Sequence, residues 1–126
     1  MDAILLEATQ TTPKVNLDSV ANKFEISGES RPENTAKFYA PIITWLDNYR
    51  SVLYFQKESF GKSKKMVFDF KFEYFNSTSA KFILDIFYNL EKIQKQGCEV
   101  EINWNYDKRD TDMKEAGEEF SKYVPN

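Results

Sequence analysis

The sequence predicts an α/β fold: a mixed sheet with its helices packed on one side and its other side open to water. Three observations carry this prediction. Met66, Phe68, Phe70, Phe72 and Tyr74 alternate with Val67, Asp69, Lys71, Glu73 and Phe75, the period of two that marks a half-buried strand. Val100, Ile102, Trp104 and Tyr106 alternate in the same way with Glu99, Glu101, Asn103 and Asn105. Between them Phe82, Ile86, Leu90 and Ile93 recur at helical spacing, with Ile83 and Phe87 widening the apolar stripe. A strand, helix and strand of these lengths form a right-handed crossover between parallel strands. Each strand has one apolar and one polar face, unlike those of doubly wound sheets, which bury both.

Taken in order, Ile4 to Thr9 reads as a short first strand at an edge. Gln10 to Asn22 contains Thr12-Pro13 and several turn formers, and reads as a connection. Phe24 and Ile26, flanked by Lys23, Glu25 and Ser27, form a second short strand that Gly28 ends. Ser30-Arg31-Pro32-Glu33 has the Ser-x-x-Glu form of a capping box, with proline tolerated in the first turn. The helix after it carries Phe38, Ile42, Trp45, Leu46 and Tyr49 on one face. Pro41 removes a backbone donor inside it and predicts a kink or break. Ser51 to Lys65 is the longest irregular stretch, with Val52 to Phe55 able to extend the helix.

The Met66 strand follows, then the turn Asn76-Ser77-Thr78-Ser79 and the central helix. Gly97 is placed to stop that helix in the left-handed region, and Lys92 and Lys95 suit its negative end. After the second strand, Asp107 to Asp112 is a charged turn in which Asp110 or Asp112 can cap a last helix. Met113, Ala116, Phe120 and Tyr123 fall at helical spacing there. The inventory is four strands and three helices in one domain spanning 1–126.

The 126 residues, 41% hydrophobic and 16% aromatic, suffice for a packed core, and four glycines and four prolines leave little room for a linker. A net charge of −3 argues against a dedicated nucleic-acid binder. Lys57, Lys62, Lys64 and Lys65 form a basic run that reads as a solvated loop. The single Cys98 and the absence of histidine exclude an internal disulfide, the usual zinc sites and imidazole-based catalysis. No amino-terminal apolar stretch has signal-peptide length and nothing spans a membrane, so the cytoplasm is the expected address. No glycine-rich phosphate loop is present and no nucleophile has a visible base. The expectation is a protein that is not an enzyme and takes no cofactor.

Two features are candidate sites. Asn76-Ser77-Thr78-Ser79 offers three hydroxyls and an amide at a strand's carboxyl end and a helix's amino end, where α/β proteins place working residues. One reading is helix capping, worth about 1 kcal/mol. The other is a phosphorylation switch, since a phosphate would add roughly −1.5 to −2 charge beside the positive end of a helix dipole. Leu84 and Tyr88 fall opposite the main stripe of the central helix, either buried under a neighbouring helix or exposed as a partner contact. Asp107, Asp110 and Asp112 could hold a hard cation, but they lack the glycine and distal glutamate of a calcium loop, and capping is favoured.

The residues also carry a resemblance. Thr9-Gln10-Thr11-Thr12-Pro13-Lys14-Val15, Ser27-Gly28-Glu29-Ser30-Arg31-Pro32-Glu33-Asn34 and Trp45-Leu46 resemble the opening blocks of the SiaC-type regulatory phosphoproteins. Glu73 to Lys81 resembles the central block, and Ile102 to Asp107 and Asp112 to Phe120 resemble the closing blocks. The resemblance implies a STAS-like fold, similar to anti-sigma-factor antagonists: a single domain with a mixed four- to five-stranded sheet and helices on one face. It implies a non-enzymatic switch phosphorylated by a dedicated serine/threonine kinase and restored by a PP2C-like phosphatase. In the best-known branch the unphosphorylated form binds and activates a diguanylate cyclase, raising cyclic di-GMP and favouring biofilm or aggregation.

The position matching the family's phosphoacceptor is Ser77, directly after the asparagine. That branch has threonine followed by two serines; here the order is Ser77, Thr78, Ser79, which makes Thr78 the second candidate. Asn76, Thr78 and Ser79 would shape the turn, with Leu84 and Tyr88 as candidate partner contacts. The alternatives are an anti-sigma-factor antagonist in a partner-switching pathway and a small ligand-binding protein marked by a deep polar pocket.

Overall fold

The computed structural model describes residues 2–60 and 65–123. Five strands form one sheet in chain order: β1 (Ile4–Leu6), β2 (Lys14–Asp18), β3 (Lys23–Ser30), β4 (Lys65–Phe75) and β5 (Glu99–Trp104). The β1–β2 and β2–β3 pairs are antiparallel, and β3–β4 and β4–β5 are parallel. The helices α1 (Thr35–Phe60) and α2 (Ser77–Lys95) make the two parallel connections, and α3 (Thr111–Ser121) follows β5.

The register explains why one face is dry. Phe24 lies beside Phe68, Ile26 beside Phe70, and Phe70 beside Trp104, so the apolar positions fall in rows across the strands. Val15, Leu17, Phe24, Ile26, Met66, Phe68, Phe70 and Phe72 are buried under Tyr39, Ile42, Trp45, Leu46 and Tyr49 of α1 and Ile83, Ile86, Leu90 and Ile93 of α2. Each large apolar side chain so buried is worth about 1.5–3 kcal/mol. The opposite face is polar. Glu25 lies between Lys14 (3.8 Å) and Lys71 (3.5 Å), and Asn103 Nδ2 donates to Asp69 at 3.0 Å. Such exposed pairs add little stability.

Several elements differ from the sequence expectation. The supposed connection from Gln10 to Asn22 contains β2, whose two core residues, Val15 and Leu17, gave too short an alternation to read alone. Gly28 does not end β3, which runs on to Ser30. Gly28 has φ +106°, and past it the register slips: Gly28 pairs with Phe72 but Glu29 with Tyr74. Glu73 is therefore the extra residue of a β-bulge, a device that re-aims side chains. Tyr74 turns outward, 50% exposed, and Phe75 turns inward against Trp104 and Phe120. The alternation read through Tyr74 thus holds only to Phe72.

Helix α1 does not start from a capping box at Ser30, which is buried at the end of β3. Asn34 caps it instead, accepting from Lys37 N–H at 3.0 Å. The helix is unbroken at Pro41 and continues to Phe60, through most of the stretch expected to be irregular. Pro41 is exposed, while Tyr39, Ile42, Trp45 and Leu46 around it are buried, so core packing outweighs one missing backbone bond. Tyr39 is a core residue that the helical stripe did not include. Of the basic run, Lys62 and Lys64 lie outside the described residues; Lys57 falls in α1, and Lys65 opens β4.

The end of α2 is as expected, with Gly97 at φ +100° and Lys92 and Lys95 in the last turn. Tyr106 lies beyond β5 and is exposed. Asp110 caps α3, accepting from Met113 N–H at 3.0 Å. Trp104 Nε1 donates to the Met113 carbonyl at 2.8 Å, and Phe120 completes an aromatic corner with Phe70, Phe75, Phe87 and Trp104. Gly117 lets α3 reach it: a Cβ there would clash with the Trp104 indole ring.

Candidate functional site

The candidate site is the rim where β3 and β4 end and α1 and α2 begin. Ser30 pairs with Phe75 in the sheet, and the residue that follows β4, Asn76, donates its N–H to the Ser30 carbonyl at 3.0 Å. Asn76 is extended (φ −85°, ψ 172°), the backbone of an N-cap. Its Oδ1 accepts from Ser79 N–H at 2.9 Å and from Thr78 Oγ1 at 3.0 Å. Capping and turn-shaping by Asn76 are therefore both present.

The three hydroxyls have different surroundings. Ser79 is fully buried; its Oγ donates to the Ser30 carbonyl at 3.1 Å and accepts from Ser30 Oγ at 2.9 Å. With the Ser30 proton so committed, the Tyr39 phenol donates to Ser30 Oγ, and a one-way chain runs from α1 through β3 into α2. Burial pushes the Tyr39 phenol up to about 12, against the smaller opposing pull of Ser30 and Ser79, so it keeps the proton the chain requires. Thr78 is exposed but bonded: besides Asn76 it meets Thr35 Oγ1 at 3.1 Å, joining the first turn of α2 to that of α1. Ser77, the first residue of α2, is exposed, and its hydroxyl has no hydrogen-bond partner among the described residues.

The electrostatics favour an anion here. Neither α1 nor α2 has an acidic residue in its first turn, so neither positive helix end at the rim is offset from within its own helix. Lys81, exposed, follows Ser77 by four residues on the same helical face. A phosphoryl group on Ser77 would be accommodated by this field. Ser79 is sealed from any kinase, and modifying Thr78 would remove the proton it donates to Asn76 Oδ1.

Leu84 and Tyr88 do not form one exposed surface. Leu84 is partly buried against the core, while Tyr88 is 38% exposed beside the groove between α1 and α2. Asp107 accepts from Arg109 N–H and Asp110 is committed to its cap. Among the described residues no carboxylate, cysteine or histidine cluster could hold a metal ion, and no helix is long and apolar enough to cross a membrane. Sequence reasoning missed Ser30, Tyr39 and Thr35. Their roles arise from contacts 9, 43 and 49 positions apart in the chain, for which no local pattern exists.

Fold and rim together define a small α/β domain with a five-stranded mixed sheet and three helices. Its sequence matches the SiaC family regulatory phosphoproteins over residues 6–126, and the chain belongs to that family. The crystal structure of apo-SiaC from Pseudomonas aeruginosa superposes with a TM-score of 0.82 at 27% identity, covering 97% of this chain and 92% of that one. A second similar structure is SiaC of the same organism in complex with the diguanylate cyclase SiaD, of which it is described as the activator. There the TM-score is 0.80 at 27% identity, covering 94% of this chain and 90% of that one. An uncharacterised protein of P. aeruginosa strain UCBPP-PA14 is 28% identical over 120 residues, 95% of this chain and 88% of the relative.

Proposed function

We propose that this protein is a non-enzymatic switch that binds and activates a diguanylate cyclase when unphosphorylated and releases it when Ser77 is phosphorylated. The observation that carries this reading is the likeness, along nearly the whole chain, to SiaC in complex with the cyclase it activates. A serine/threonine kinase writes the modification and a PP2C-like phosphatase removes it. The reading places the protein in the cytoplasm, where ATP-dependent kinases work.

The rim supplies the physical basis. Ser77 presents an uncommitted hydroxyl on a helix end fixed by Asn76 and the buried Ser79 chain. Phosphorylation adds roughly −1.5 to −2 charge there without requiring any described hydrogen bond to break. The fold tolerates the dianion, but a partner seated over the rim must desolvate it. Binding, rather than folding, therefore responds.

The test is to treat the protein with its cognate kinase and ATP, map the phosphate by peptide mass spectrometry, and titrate the cognate cyclase. The phosphate is expected on Ser77; Ser77→Ala is expected to bind and activate whether or not kinase is present, and Ser77→Asp to bind at least tenfold more weakly. A phosphate on Thr78 overturns the acceptor assignment. An unmodified protein that neither binds nor stimulates the cyclase overturns the reading itself.

A further inference from the structure

We propose that the groove between α1 and α2 receives an arginine of the cyclase, held by Asn89, Asp85 and Tyr88. The inference rests on the cyclase reading above and adds to it the chemistry of the contact. Asn89 lies in α2 and is only 6% exposed. Its Nδ2 donates to the Asp85 carbonyl at 3.1 Å, which fixes the amide's orientation, because turning it over would set two oxygens against each other. The remaining Oδ1 is buried and has no hydrogen-bond partner among the described residues. Buried acceptors in native proteins are nearly always paired. This one borders a groove of about 420 Å³ lined also by Ile43, Asp47, Asp85, Tyr88 and Lys92.

The charges around the groove select the donor. Asp47 is paired with Arg50 at 3.5 Å and Glu91 with Lys95 at 2.9 Å. Asp85 has no ion-pair partner among the described residues, and it precedes Asn89 by four residues, so the two side chains are neighbours on one helical face. A planar guanidinium has five donors and can bond a carboxylate and an amide oxygen together, whereas an ammonium is a single point charge. Tyr88, 38% exposed, meets Tyr123 edge to face with centroids 6.4 Å apart, and a guanidinium can stack on the ring surface left open at the groove's edge. Lys92, also without an ion pair among the described residues, lies on the far side of Asn89, so the cation enters from the Asp85 end. Because Asn89 Oδ1 is shielded from solvent, docking must move a side chain at the groove's edge, an ordinary adjustment at interfaces.

Asn89 is twelve residues beyond Ser77 on the same helix, about 18 Å along its axis. A partner covering the groove can therefore extend to the rim.

The experiment titrates the full-length cognate cyclase into wild type, Asp85→Lys, Asn89→Leu and, as a control on α3, Lys114→Glu. Asp85→Lys is expected to weaken binding more than tenfold. Asn89→Leu is expected to weaken it about tenfold while raising the melting temperature of the free protein, because the unpaired acceptor is gone; a purely structural asparagine would not give that split. Lys114→Glu is expected to bind as wild type does. If wild type binds and both groove variants bind equally well, the groove assignment is overturned and the cyclase reading stands. If wild type does not bind, the reading falls and the groove assignment with it. A wild-type dimer in sedimentation that Asp85→Lys separates would give the groove to a second copy of this chain and overturn the arginine assignment.

Discussion

At the rim, Ser30, Tyr39, Ser79, Thr78 and Thr35 are joined by hydroxyl hydrogen bonds across β3, α1 and α2. At the corner beneath α3, Phe70, Phe75, Phe87, Trp104 and Phe120 are joined by ring packing, with Gly117 against the indole. The corner is held by shape, and between Gly117 and the Trp104 ring it has no room for one more methyl group. The rim is held by directional bonds that leave one hydroxyl, Ser77, outside the network. A region defined by volume resists every addition, whereas a region defined by donors and acceptors can take a charged group wherever a position is left uncommitted.

Three substitutions sharpen or break that contrast. The largest expected effect is at the corner. Gly117→Ala would ordinarily favour a helix by up to about 1 kcal/mol. Here the new methyl meets the Trp104 ring, and the variant is expected to lose about 2 kcal/mol. Denaturant unfolding measures it, and a stability equal to wild type would show that the corner yields more easily than its packing implies. Next comes Ser79→Ala, which cuts the buried chain and leaves the Ser30 hydroxyl without its acceptor, an expected loss of about 1.5 kcal/mol by the same measurement. Smallest is Asn76→Ala, about 1 kcal/mol for a lost cap. Should Asn76→Ala cost more than Ser79→Ala, the cap and not the buried chain would be what anchors the rim.

The fold was legible where one strand or helix carried its own signal. The β4 and β5 alternations, the α2 stripe and the Gly97 stop needed no long-range information. Lys14 to Asp18 reads as connection in the sequence because two apolar residues become a strand only when β3 pairs beside them. Gly28 looked like a terminator because a left-handed glycine usually is one; here its positive φ lies inside the strand, at the register slip. Ser30 looked like a cap because its spacing to Glu33 is that of a capping box, yet its hydroxyl is spent on Ser79 and Tyr39. At the site, the turn and its asparagine were readable, and the resemblance supplied Ser77. What separates Ser77 from its two neighbours, exposure without a bonding partner, depends on Thr35 and Ser30, which reach the turn only in three dimensions.

The extra residue at Glu73 has a consequence for how this surface can diverge. Glu73 itself is exposed and makes no demand on chemistry, so most replacements there are neutral. Removing it is another matter: every later side chain of the strand would trade faces, and the Asn76 N–H would lose its alignment with the Ser30 carbonyl. In this short interval the heritable quantity is a count rather than a composition, and drift can rewrite its letters but not its length.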